Sequence, residues 1–174
     1  MKERVIEYNQ PIKFNEKIRE DIIWRPEAAV SKAILYQTEE KCFLTFNAVR
    51  KGEDDYYYGY IEENKFGLTA IVEMKKCICT KFGYPNDEAL GGHPLRNKGL
   101  TAYGIFKVLN SSWLLTLGKQ NKINFPNHSQ WIYSYSHFIF TFHDSTFECI
   151  CDELDITLSE EPYKKVLKKV LNEL

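Results

Sequence analysis

The chain has no run of about 18 apolar residues, so nothing in it reads as a membrane-crossing helix. Its N-terminus, MKERVIEYNQ, lacks the apolar stretch of a signal peptide, and the expected location is the cytoplasm. Charge of one sign is missing as well. The 23 Lys and Arg nearly cancel the 24 Asp and Glu, leaving a net charge of -1 and no global field to draw nucleic acid or an anionic membrane; neither is an expected partner. Familiar catalytic signatures are also absent: there is no G-x-S-x-G elbow, no H-E-x-x-H, and no H-x-E with P-C-x-x-C. No cofactor is expected. Cysteines number five, and an odd count argues against a secreted disulfide scaffold.

What the chain does have is aromatic residues and strand-like alternation. Tyr and Phe occur 11 times each against 3 Trp. Residues 131–152, WIYSYSHFIFTFHDSTFECICD, read as a long β-hairpin in which Phe138, Phe140 and Phe142 take one face. His137, Ile139, Thr141 and His143 take the other. A turn within 143–146 pairs Phe142 with Phe147, Phe140 with Cys149 and Phe138 with Cys151 on the apolar face. On the opposite face it pairs Thr141 with Glu148, Ile139 with Ile150 and His137 with Asp152. One face is thus core, and the other is solvent or chemistry.

The 174 residues fit one domain, 1–174. Asn15 can cap a helix over 16–24, with Ile18, Ile22 and Ile23 inward, although Ile and Trp suit a strand equally. Residues 29–49 read as an antiparallel hairpin. The tyrosines at 56–58 and 60 suit either a strand or a stacking platform. LTAIVEMKKCICTKF, from Leu68, reads as one long alternating strand, and TAYGIFKVL as another. Asn110-Ser111-Ser112 can cap a short helix that ends at Gly118, and a T-x-x-E capping box at Thr157 and Glu160, or Ser159 in its place, opens an amphipathic C-terminal helix. The expected fold class is α+β: a mainly antiparallel, twisted sheet or partly closed β-barrel of six to eight strands, with the short internal helix and the C-terminal helix packed on it.

The least regular stretch is 83–100, GYPNDEALGGHPLRNKGL, a loop with two prolines and no apolar period. Long loops within a compact domain often carry function. This one supplies Asp87, Glu88, His93, Arg96 and Lys98, and its Gly91-Gly92 pair would let a ligand approach the backbone. It fits neither a phosphate loop nor a dinucleotide fingerprint, and a solvated surface loop explains it as well. On the hairpin, His137 opposite Asp152 is either an oriented acid/base pair or a plain cross-strand polar pair. His143-Asp144-Ser145 places triad residue types side by side, but triad members converge from distant segments and these are ordinary turn formers. His128 has no visible partner. The C-x-C pairs Cys77/Cys79 and Cys149/Cys151 each project from one face of a strand. Four such thiols are a zinc set in principle, but zinc favours C-x-x-C, so they read as small buried hydrophobes and no metal is expected.

The segments FGYPNDEALGGHPL, LNSSW and HFIFTFHDSTFEC resemble stretches of uncharacterised bacterial proteins of similar length. The resemblance runs from about Phe82 to Cys151; it implies a bacterial origin and brings no activity or site. Two functions stay open. One is a module that binds a small molecule or protein through the 83–100 loop and the polar hairpin face, using Asp87, Glu88, Gly91, Gly92, Arg96, His137, Thr141 and Asp152. The other is a small hydrolase in which His93 or His143 acts as acid/base beside Asp87, Glu88 or Glu148.

Overall fold

The computed structural model describes residues 2–9, 11–14, 16–50, 67–127 and 131–173. Asn15, the tyrosine run at 56–60 and His128, with the expectations attached to them, lie outside these residues. The strands are β1 (Arg4–Glu7), β2 (Ile12–Phe14), β3 (Lys17–Arg19), β4 (Trp24–Pro26), β5 (Ile34–Gln37) and β6 (Cys42–Arg50), then β7 (Leu68–Lys75), β8 (Cys79–Gly83), β9 (Ile105–Leu109), β10 (Ser136–Thr141), β11 (Thr146–Cys151) and β12 (Glu153–Ser159). The helices are α1 (Ser112–Asn124) and α2 (Tyr163–Glu173).

The chain is α+β, as its alternation implies, but its strands divide between two sheets. A five-stranded sheet has the order β1-β9-β10-β11-β8; a seven-stranded one has the order β3-β2-β12-β7-β6-β4, with β5 also paired to β6. Every pairing is antiparallel except β12 with β2. The expected continuous strand from Leu68 is in fact β7 and β8, one in each sheet. Its partner strand divides likewise into β11 and β12.

These four segments form one two-stranded ribbon that bends from sheet to sheet. Lys75 faces Glu153 on one side of the bend and Cys79 faces Ile150 on the other, so Lys76, Cys77 and Ile78 oppose only Cys151 and Asp152. One extra residue makes this a β-bulge, the device by which strands turn a corner between packed sheets. Lys76 takes a left-handed φ of 49° there, and its Nζ lies 2.8 Å from Asp152 Oδ2. The Ile78 N–H donates to Ile150 O at 2.9 Å, which restores the ladder beyond the bend.

The main core fills the space between the sheets. Phe46 from the seven-stranded sheet meets Phe140 and Phe142 from the other at centroid distances of 6.0 and 5.1 Å, edge to face, and Phe140 meets Phe147 at 5.7 Å. All four rings are buried. Each contributes on the order of 1.5–3 kcal/mol. Outside the seven-stranded sheet, α2 buries Val166 and Val170. Outside the five-stranded sheet, the 83–100 loop lays Leu90, Leu95 and Leu100 on Val5, Phe106, Val108 and Ile139 as a second, smaller core.

Several expectations are corrected. The helix over 16–24 is absent: Glu16 turns left-handed at φ 60°, β3 pairs back on β2, and Ile18 and Ile23 are exposed. The hairpin register lies two residues away, with Phe140 opposite Phe147, Phe138 opposite Cys149, Ile139 opposite Glu148, His137 opposite Ile150 and Thr141 opposite Thr146. The turn centres on His143-Asp144, closed by Phe142 N–H to Ser145 O at 2.9 Å, because the His143 carbonyl and imidazole are both engaged by Asp87. A two-residue shift leaves the faces unchanged. α1 runs through Gly118, where a Cβ would stand 3.3 Å from Ile132 Cγ2; this glycine admits a neighbour rather than ending the helix. The Thr157 capping box does not form, since β12 continues to Ser159, whose Oγ accepts from Glu161 N–H at 3.1 Å.

Phe140→Ala is expected to cost about 3–5 kcal/mol, as for large-to-small changes in a tight core. Ile18→Ala, at a residue 70% exposed, is expected to stay within about 0.5 kcal/mol. Urea unfolding of the two variants measures the contrast.

Candidate functional site

Two histidine–carboxylate clusters sit where the 83–100 loop crosses the hairpin. The first is buried. His137 points from β10 toward α1 and the loop. Its Nε2 lies 2.9 Å from Glu148 Oε2, and its Nδ1 lies 2.8 Å from Ser111 Oγ. Ser111 caps α1 by accepting from Leu114 N–H at 3.1 Å, and because the Glu148 carboxylate can only accept, His137 Nε2 carries the proton that faces it. His93, on the loop, accepts at Nδ1 from Leu95 N–H at 3.2 Å and holds Nε2 3.9 Å from Glu148 Oε1. Lys81 reaches the same oxygen at 3.5 Å while its ammonium stands 3.7 Å from the Trp113 ring centroid.

Burial pushes the Glu148 carboxyl up, but the hydrogen bond from His137, the nearby His93 imidazole and the charge of Lys81 outweigh it, and Glu148 is held well below the usual carboxylate range. The order serine, histidine, carboxylate imitates a hydrolytic triad. Chemically it is not one. Ser111 is buried, and its hydroxyl is committed to the cap and to His137, so no acyl carbon can reach it. The cluster fastens loop, helix and sheet around one buried charge.

The second cluster is open to solvent. Asp87 Oδ2 accepts from Tyr103 OH and lies 2.9 Å from His143 Nδ1, while its Oδ1 accepts from Glu88 N–H at 2.8 Å. Tyr103 itself holds a left-handed φ of 57°. The Tyr103 hydroxyl, and then His143, keep Asp87 below the usual carboxylate range despite burial. Asp87 in turn raises the His143 imidazole above its ordinary value, and burial with Asp87 raises Tyr103 to about 12. The His143 side chain is 44% exposed. Asp87 thus fixes one ring nitrogen, and the other lies 4.0 Å from the exposed Asp144 Oδ1.

This cluster lies beside a cleft of about 600 Å³ at the open edge of the two-sheet stack, lined by Tyr8, Ile22, Trp24, Arg25, Ile105 and Ile156 among others. Gly104, which lines one end, follows Tyr103 and exchanges hydrogen bonds with Thr141, two residues before His143. A Cβ at Gly104 would sit 2.6 Å from the Phe106 ring, so only glycine fits.

The candidate residues therefore separate. His93, His137 and Glu148 share one cluster, and Asp87 and His143 share the other. His137 does not face Asp152, and Thr141 does not face Glu148, both for the register reason above. Asp152 binds Lys76 at the ribbon bend, and Thr141 Oγ1 donates to Thr101 O at 2.9 Å. Glu88 is exposed, and Arg96 donates to Leu100 O, closing its own loop. Gly91 and Gly92 have nothing within 4 Å of a Cβ position. Sequence reasoning missed Lys81 and Tyr103, which carry no local signal, and took Ser111 only as part of a helix cap. Among the described residues, no group of three or more His, Cys, Asp or Glu is arranged to hold a metal, and no helix is long and apolar enough to cross a membrane. No family model, no curated protein and no solved structure matches the chain.

Because its folded value is depressed, the Glu148 carboxylate contributes stability above its ordinary 4.5 and loses it as pH falls through that lower value. Glu148→Gln is expected to cost about 2–4 kcal/mol at neutral pH, since two imidazoles and an ammonium lose their anion. Its stability is expected to fall less than the parent's below pH 4.5, as read by urea midpoints across acid pH.

Proposed function

We propose that this chain is a binding module for a small amphiphilic acid, whose apolar body lies in the cleft and whose acidic group meets His143 at the cleft's end. The observation that carries the reading is a cleft of about 600 Å³, within the size of ordinary ligand sites, whose lining residue Gly104 follows Tyr103, the hydroxyl donor to Asp87 of the Asp87–His143 pair. Tyr8, Trp24, Ile22, Ile105 and Ile156 supply apolar and aromatic surface. Arg25 lines the same cleft, together with Glu7 and Glu20, and is close enough to influence the Tyr103 hydroxyl. Asp87 favours the charged imidazole, which draws an anion more strongly than a neutral ring.

The second reading is the small hydrolase, and one observation favours His143 over His93 for it. The His143 side chain is 44% exposed, whereas that of His93 is 7% exposed. An imidazole oriented by a buried-side carboxylate and reached by solvent suits proton transfer to water.

Octanoate and an anilinonaphthalene sulfonate are suitable probes, followed by Trp24 fluorescence and calorimetry. Saturable binding is expected; Ile105→Trp should abolish it by filling the cleft, and His143→Ala should weaken it about tenfold, the worth of one hydrogen bond to a charge. His143 is raised, so binding should be strongest on the acid side and weaken as pH rises through its elevated value. Binding that ignores Ile105→Trp sinks the cleft reading. Turnover of p-nitrophenyl octanoate that vanishes in His143→Gln while octanoate still binds would move the hydrolase reading to the front.

A further inference from the structure

β8 ends the five-stranded sheet: one side of it pairs with β11, and no other described strand pairs with the opposite side. No residue from 78 to 84 is buried. The hairpin turn fixes where the backbone groups of β8 point. Phe142 N–H donates to Ser145 O, and bonded and non-bonded pairs alternate from there along the antiparallel ladder, which makes Phe140–Phe147 and Phe138–Cys149 bonded pairs. The N–H and C=O groups of Thr146, Glu148 and Ile150 therefore turn to β8, where they meet Gly83, Lys81 and Cys79. Ile150 O accepts from Ile78 N–H at 2.9 Å, in agreement with this direction. The backbone groups of Thr80 and Phe82, which alternate with those positions, point out of the sheet at its open edge.

Folded chains blunt such edges with charge, proline or a covering segment. The other terminal strands carry these devices: Arg4 and Glu7 in β1, Lys17 and Arg19 in β3, and Pro26 in β4. β8 does not. Its one charge, Lys81, is drawn onto Glu148 and the Trp113 ring, and the exposed Ile78, Phe82 and Tyr84 are left along the edge. Phe82 is held in place there, its ring 6.0 Å from that of Phe147 and edge to face.

We propose that β8 pairs antiparallel with β8 of a second copy of this chain, on a two-fold axis at Thr80, so that two five-stranded sheets join edge to edge. In that register the outward N–H and C=O of Thr80 exchange hydrogen bonds with those of Thr80 in the copy. Phe82 comes beside Ile78 of the copy and Ile78 beside Phe82 of the copy, which covers exposed apolar surface on both sides of the axis. Lys81 stands across from Cys79 and meets no like charge. The neighbouring registers fail. An axis at Lys81 sets two ammonium groups opposite each other, at a position whose backbone groups already serve Glu148. An axis at Phe82 brings Tyr84 into the ladder beyond Gly83, whose φ of 138° takes the chain off the strand path. The edge is self-complementary in one register, and a copy of the chain supplies the matching pattern by symmetry.

Sedimentation velocity of the full chain over about 1–300 μM tests this, since a contact below the standard size of about 1,600 Å² fits a dissociation constant of roughly 10 μM. A monomer–dimer equilibrium is expected. Thr80→Pro should weaken it at least about tenfold, because proline there removes an outward N–H and no bond to β11. Phe82→Lys should weaken it as well by placing a charge beside Ile78 of the copy, and both variants should keep the parent's circular dichroism. Hydrogen exchange of the unmodified chain needs no variant: the Thr80 and Phe82 amides should slow as concentration rises, while those of β1 stay unchanged. A chain that remains monomeric throughout that range, a dimer that neither variant weakens, or slowing confined to another strand would overturn the proposal.

Discussion

The structure depends on the bend of one two-stranded ribbon. β7 and β12 run together through the middle of one sheet, and their continuations, β8 and β11, run together in the other. A flat continuation would place both halves in one sheet and leave the phenylalanine face without a partner. The extra residue in 76–78 turns the ribbon, so that Phe138, Phe140, Phe142 and Phe147 face Phe46, Leu44 and Val72 across a shared core. The Lys76–Asp152 contact lies on the solvent side of that bend, and the cysteines lie on the inner side. Small, weakly polar thiols fill the tight interior of a corner where larger chains would collide.

Once the two sheets face each other, the outer face of the five-stranded sheet must also be covered, because Ile139, Phe106 and Val108 lie on it. The 83–100 segment does this with two short 3-10 turns, Glu88–Gly92 and Arg96–Lys98, and no α-helix. Three leucines supply the apolar contact, and polar clamps hold the path. Asp87 meets His143 at one end of the hairpin, His93 meets Glu148 further along, and Lys98 meets Glu3 near β1 at 2.7 Å. Burying Glu148 is tolerable because its oxygens meet two imidazoles and an ammonium. Gly99 fits the same logic: its φ is 113° and a Cβ would stand 2.7 Å from Val5 O, so the loop can only pass β1 there as glycine.

Of the candidate site, the sequence made the participants visible but not their partners. His93, His137, His143, Asp87 and Glu148 stand out by chemistry, and the irregular loop by its composition. Which carboxylate meets which histidine depended on register and on loop path. A turn displaced by one residue moved His137 from Asp152 to Ile150 across the ladder, and its carboxylate partner became Glu148 on the neighbouring strand. Lys81 and Tyr103 joined through strand pairing and a left-handed turn that no local pattern announces.

By itself the sequence determined what alternation, caps and breakers can express: hairpins within 29–49 and 131–152, although Trp131–Ser134 is a 3-10 turn before the strand, the buried phenylalanine face of the second, the start of α1, the C-terminal helix and the α+β class. These follow from side-chain period and short-range hydrogen bonding, which need no distant partner. Tertiary structure alone decided that the apparent long strand from Leu68 divides between sheets, that residues 17–19 and 24–26 pair as strands rather than coil as a helix, and that the polar hairpin face is covered. The physical reason is shared. A bulge, an edge pairing and a loop seated on a sheet gain their energy from contacts between residues far apart in the chain, and local propensity is indifferent to them.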